Sequence, residues 1–172
     1  GSFTGGEVAS TITGVWMTAT IKQAKMDGKW GVAPVPRLDG VEGAVNASNL
    51  GGSSWYVLSS APSKDAAIDF LSTVWGADAD FYQKILVDQG ALGSLTAARD
   101  GEAYKASDPY FGGQPVWQNF TTWLSQIPGV NYGVFTNEAD AAVNAQAPGL
   151  AKGGSVDEAV AAIDAQITTQ AQ

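Results

Sequence analysis

The sequence predicts an α/β fold, because two or three short β-rich runs and about six helices alternate with Gly- and Pro-rich turns, and 45% of the 172 residues are apolar. So few strands make a thin sheet for so many helices, which predicts that further strands are missing from this stretch of polypeptide.

Val8 to Thr13 reads as a short β-rich run broken by Gly14, and Trp16 to Lys25 as a helix ended by Asp27-Gly28. Trp30 to Val35 is a strand whose Pro34 and Pro36 place it at an edge or terminus. After a loop over residues 37–50, Ser53 to Ser59 alternates: Ser53, Trp55 and Val57 take one face, and Ser54, Tyr56 and Leu58 the other.

Pro62-Ser63 opens a helix with Ser63 as its cap and Ala67, Phe70, Leu71, Val74 and Trp75 on one stripe. A helix from Asp78 to Asp88 buries Phe81, Ile85 and Leu86 and stops at Gly90, and a short helical turn falls within residues 94–101. The aromatic loop Asp108 to Gln114 follows, with Tyr110, Phe111 and Gln114 seating it against its neighbours. Pro115 fits the first position of a helix reaching Ile127, whose Val116, Phe120, Trp123 and Leu124 share a face. Asn137 to Ala147 is a small-residue helix capped by Thr136 and stopped by Pro148-Gly149. The last helix opens with a capping box, Ser155 and Glu158, and buries Val156, Ala159, Val160, Ile163 and Ile167.

Nine Lys and Arg against seventeen Asp and Glu leave a formal charge of −8 and no basic run, so a phosphate backbone is repelled and nucleic acid is excluded as a partner. Neither Cys nor His occurs, which removes disulfides, thiolate metal sites and the commonest general base, and neither a metal nor a cofactor is expected. Paired carboxylates such as Asp78 and Asp80 sit where solvated helix starts favour acidic residues, so no catalytic residue is assigned. No run approaches the ~20 apolar residues of a membrane span, and any targeting signal is expected upstream of Gly1.

Three blocks in order, Phe3-Thr-Gly-Gly-Glu7, Ile12-Thr-Gly14-Val-Trp16 and Trp30-Gly-Val-Ala-Pro34-Val-Pro36, resemble the solute-binding proteins related to maltose-binding protein. Gly51-Gly52-Ser53-Ser54-Trp55 running into Ser63 to Leu71, and Ser155 to Ala159 near the end, continue the resemblance across essentially the whole chain. It implies a type II periplasmic-binding-protein-like two-lobe fold whose N-terminal half is absent here. Residues 1–50 and 109–172 would then belong to the second lobe and residues 51–108 to the first, with a hinge near Gly51-Gly52. The expected role is that of an extracytoplasmic sugar receptor, periplasmic or a lipid-anchored lipoprotein. Its partners would be an oligosaccharide, the transmembrane subunits of an ABC importer and the missing half of the same protein.

Sugar recognition needs flat apolar surface for the C–H faces of a pyranose and neutral or acidic groups for its hydroxyls. Trp16 matches the family's stacking aromatic, and Trp55 follows the hinge glycines. Gly51, Gly52 and Ser53 can offer amides and a hydroxyl, and Asn131 and Tyr132 lie where the family places cleft residues. Trp75 and Trp123 fall on core stripes, and Trp30 and Trp117 read as structural. Two alternatives stay open: a stand-alone carbohydrate-binding or adhesive module, and the non-catalytic part of a glycan-processing enzyme.

Overall fold

A computed structural model describes residues 2–26, 28–49, 52–129 and 132–170. They fall into two compact units, Gly1–Ile127 and Pro128–Gln172.

The first unit contains α1 (Met17–Lys22), α2 (Lys64–Phe70), α3 (Ala79–Gln89), α4 (Glu102–Lys105) and α5 (Val116–Leu124). α2 widens into a π-helical turn at Leu71–Trp75, and single 3-10 turns lie at Thr96–Asp100 and Pro109–Phe111. No β-strand occurs among the described residues, where an isolated bridge between Asp108 and Gln114 is the extent of β pairing. The runs 8–13, 30–35 and 53–59 form no ladder, which corrects the expected strands. A strand is a paired object, and local propensity cannot supply the neighbour that satisfies its backbone.

Where local chemistry decides, the expected helices form. Asp78 accepts a hydrogen bond from the Phe81 amide at 2.9 Å to start α3, and Gly90 ends it in the left-handed region at φ 65°. Ser63 makes no side-chain cap, and Phe70 is exposed, so the α2 stripe is only half covered. α5 stops at Leu124, short of Ile127, with Pro115 as its cap residue rather than its first helical position.

Two apolar clusters share Phe120. One joins Tyr82, Leu86, Ala98, Tyr104 and Trp117; the other joins Ile21, Tyr110, Phe111 and Val116. The loop 108–114 is tied to α1 and the turn after it by three contacts: Tyr110 donates its hydroxyl to the Ile21 carbonyl at 2.5 Å and accepts from the Met26 amide, and Lys22 pairs with Asp108 at 2.6 Å. Gln114 bonds both backbone groups of Val32 at 2.8 and 3.1 Å, as a neighbouring strand would. Tyr110, Phe111 and Gln114 therefore seat the loop, and the buried Trp117 is structural, as the sequence predicts.

Burial raises the Tyr104 hydroxyl above its ordinary 10.0, opposed by the hydrogen bond from the Gly93 amide and by the Arg99 charge. The folded chain thus holds this proton more tightly than the unfolded one. Its contribution is complete below about pH 10 and is lost as pH rises through the raised value. Tyr104→Phe is expected to flatten the loss of stability above pH 10, read by urea unfolding across an alkaline series, while costing about 1–3 kcal/mol at neutral pH for the orphaned Gly93 amide.

The second unit is an antiparallel-type hairpin of α6 (Thr136–Leu150) and α7 (Val156–Gln170), with Ala142 and Ala159 as its buried residues. Thr136 is the first helical residue rather than the cap, and α6 runs through Pro148 instead of stopping there. In the last turn a proline forfeits one hydrogen bond only, and the Ala151 amide still reaches Ala147 at 3.0 Å. Gly153, at φ 86°, then turns the chain so that its amide and that of Gly154 meet the carbonyls of Leu150 and Gly149. The Ser155 hydroxyl accepts from the Glu158 amide at 3.3 Å, which starts α7. Val156 and Val160, expected in the buried stripe, are exposed at 65% and 58%. Two helices with an alanine seam have no third surface to cover those valines.

Candidate functional site

Trp16 caps α1 with helical backbone angles and displays its ring at 66% exposure. The indole lies over Gly14, where an added Cβ would fall 1.8 Å from the ring. Gly14 thus sets the attitude of the platform. Gly14→Ala is expected to swing the ring aside at little cost to folding, because an exposed side chain can move; altered tryptophan emission with an unchanged thermal midpoint is the readout.

A cavity of about 590 Å³ opens beside the extended run 53–55, within the roughly 300–1,000 Å³ usual for small-molecule sites. Ser53, Ser54 and Trp55 form one wall, Trp75 and Tyr82 another, and Ser94 lies at the rim. The Trp55 and Trp75 rings meet at 5.2 Å and 46°, making an aromatic corner, and Trp55 is 64% exposed. Tyr82 spends its hydroxyl on the Trp75 carbonyl at 2.8 Å, so the three serines carry the hydroxyl groups left to meet a ligand. Among the described lining residues there is no Asp, Glu, Lys or Arg. The surface is one of neutral donors and π faces, with no acid and base placed for proton transfer.

Of the expected site residues, Ser53 and Trp55 come together in this cavity, with Gly52 adjoining them along the chain. Trp16 lies outside its lining, yet Gly90 links the two. A Cβ there would meet Thr18 at 2.7 Å and the Val15 carbonyl at 3.5 Å, and the next residue, Ala91, lines the cavity. The left-handed end of α3 therefore brings the Trp16 turn and the cavity rim to one region. Tyr132 belongs to the other unit and is half-buried, while Gly51 and Asn131 lie outside the described residues.

The sequence assigns Trp75 to a core stripe, and it does pack against the core cluster; what the stripe did not show is that the same ring also lines the cavity. Its position at the last residue of the π turn, followed by Gly76, was the available signal.

No group of three His, Cys, Asp or Glu side chains able to hold a metal ion occurs among the described residues. Likewise, no described helix is long and apolar enough to cross a membrane.

Residues 1–112 match the family model for bacterial extracellular solute-binding proteins. A lactose-binding protein of Rhizobium radiobacter is 59% identical over 145 residues, an alignment that covers 84% of this chain and 34% of that protein. The chain thus spans about a third of the length of the curated relative it matches. Matching the family model over most of its length, this chain belongs to the bacterial extracellular solute-binding proteins, which act outside the cytoplasm.

Proposed function

We propose that this chain is the sugar-contacting C-terminal portion of a receptor that carries an oligosaccharide, with a lactose-like disaccharide as the first candidate, to an ABC importer. The observation that carries the reading is the pair of exposed indoles, Trp16 over Gly14 and Trp55 on the serine-lined cavity, in a chain 59% identical to a protein named for binding lactose. A two-thirds-exposed indole stays wet in the chain alone and gains most when a pyranose face displaces that water.

In this reading the ligand lies between two lobes of a type II fold, held by stacking on Trp16 and Trp55 and by bonds from Ser53, Gly51, Gly52, Asn131 and Tyr132. Residues 1–50 and 109–172 belong to one lobe and 51–108 to the other, swinging about Gly51-Gly52. The ties from Ile21, Lys22 and Val32 to the loop 108–114 support joining that loop to residues 1–50. Closure is stabilised only by the difference in sugar affinity between closed and open forms, and the importer would read the closed one. The chemistry is binding without turnover, on a periplasmic or lipid-anchored protein.

Covering ~60 Å² of sugar face at about 25 cal/mol per Å² gives roughly 1.5 kcal/mol per stacked ring. Trp16→Ala in the full-length protein is therefore expected to weaken sugar binding about tenfold, followed by tryptophan quenching during titration with lactose and longer oligosaccharides. Unchanged affinity removes Trp16 from the site, and conversion of the sugar to products would replace the receptor with an enzyme.

A further inference from the structure

The indole of Trp16 is displayed by a helix too short to hold it unaided. α1 has six residues, fewer than two turns, and an isolated helix of that length does not persist in water. Trp16 has helical backbone angles, φ −59° and ψ −25°, so the place of its ring follows from where α1 lies. With Trp16 66% exposed, the ring's own packing settles little beyond its contact with Gly14.

What holds the far end of α1 comes from one loop, 84 to 89 positions later in the chain. Met17 and Ile21 rest on the cluster that contains Tyr110, Phe111 and Val116. The Ile21 carbonyl accepts the Tyr110 hydroxyl at 2.5 Å, and the same hydroxyl accepts from the Met26 amide at 3.3 Å just beyond the helix. Lys22, the last helical residue, pairs with Asp108 at 2.6 Å and sets its ammonium 5.9 Å from the centre of the Phe111 ring.

The loop carries its own framework. The Asp108 amide and carbonyl bond Gln114 and Gly113 at 2.9 Å each, and Gly112 and Gly113 turn the chain at φ 66° and 81°. One carboxylate then serves two purposes: Oδ1 of Asp108 accepts from the Tyr110 amide at 3.1 Å and shapes the loop, while Oδ2 receives Lys22. The Asp108 side chain is 11% exposed, so salt screens this pair less than one on the open surface.

We propose that Asp108 and Tyr110 are positioning residues for the Trp16 platform: through Lys22 and Ile21 they set where α1 lies, and thereby where the indole meets a ligand. Neither needs to touch the sugar. The consequence for affinity rests on the reading of Trp16 as a stacking surface, whereas the consequence for the ring's position does not.

Full-length protein labelled with fluorotryptophan tests both. The fluorine resonance of Trp16 is the one absent from Trp16→Ala. Without sugar, it is expected to shift or broaden in Tyr110→Phe and in Lys22→Met, and to stay in place in Lys22→Arg, which keeps a cation against Asp108. Lactose affinity is expected to fall about threefold to tenfold in Tyr110→Phe and Lys22→Met, and by less than about twofold when the same changes are made on Trp16→Ala. Should Tyr110→Phe fail to fold, Lys22→Met carries the test, on a side chain that is 39% exposed. A Trp16 resonance unmoved in the folded variants overturns the inference. So does an affinity loss of equal size with and without Trp16, or a moved resonance with affinity unchanged where Trp16→Ala weakens it. A moved resonance with lactose affinity unchanged in every variant, Trp16→Ala included, upholds the positioning role and discards the stacking reading.

Discussion

Gly93→Ala is expected to lower the unfolding midpoint by roughly 5 °C or more, the largest effect on folding of any single methyl group considered for this chain. Gly93 is buried, and a Cβ on its backbone falls 1.9 and 2.2 Å from two carbons of the Tyr82 ring. Tyr82 cannot yield. It is 2% exposed, its hydroxyl is held by the Trp75 carbonyl at 2.8 Å, and Trp75 and Phe81 stand edge-on to it at 6.0 and 5.9 Å. The backbone of residues 92–94 must retreat instead, which stretches the Gly93 amide from the Tyr104 hydroxyl. Overpacking of this kind costs about 1–3 kcal/mol. Gly129→Ala, whose Cβ would meet nothing within 4 Å, is the control. Equal midpoints for the two variants would show that Tyr82 and Gly93 do not meet as described.

That contact also couples folding to the site. Tyr82 and Gly93 line the same cavity as Ser53 and Trp55, so moving the 92–94 backbone reshapes its lining. A loss of sugar affinity beyond what unfolding explains is expected to accompany the fall in midpoint.

What the sequence made legible follows the range of the interaction involved. α3 was readable to within a residue because its start and stop are local: a carboxylate three residues before an orphan amide, and a glycine free to turn left-handed. α7 was readable for the same reason, through Ser155 and Glu158. The extended runs were misread because β propensity names a residue's preference and not its neighbour. Gln114 reaching Val32 across 82 positions shows how distant a substitute partner can be. Val156 and Val160 satisfy the helical stripe, yet a stripe marks the side that seeks cover without saying that cover is present.

Of the candidate site, the sequence made the residue types legible but not their grouping: Trp16 and Trp55 stand exposed, and Ser53 joins Trp55 at one cavity. Ser54 lines it too, although strict alternation assigned it to the opposite face; an unpaired run is not pleated by a ladder and can turn successive side chains to one side. Gly90 was readable as a helix stop. Its second service, letting Val15 and Thr18 approach the end of α3, depends on a contact over more than seventy residues that no local pattern encodes.

Removing both exposed indoles tests the functional reading most severely. Trp16→Ala with Trp55→Ala is expected to weaken sugar binding by about a hundredfold, because two faces at roughly 1.5 kcal/mol each sum when the rings act on separate parts of the ligand. Folding is expected to change little for Trp16, whose ring is 66% exposed, and more for Trp55, which loses its 5.2 Å contact with Trp75. Trp55→Phe separates these effects by keeping an aromatic against Trp75 while shrinking the platform. Calorimetric titration of the four proteins of the cycle reads the coupling directly. A double variant no weaker than Trp16→Ala alone would remove Trp55 from the ligand and leave it as the cover of Trp75. A loss well below the product of the single effects, with both single variants weakened, would instead place both rings on one sugar residue, each holding the other's share of the ligand in position.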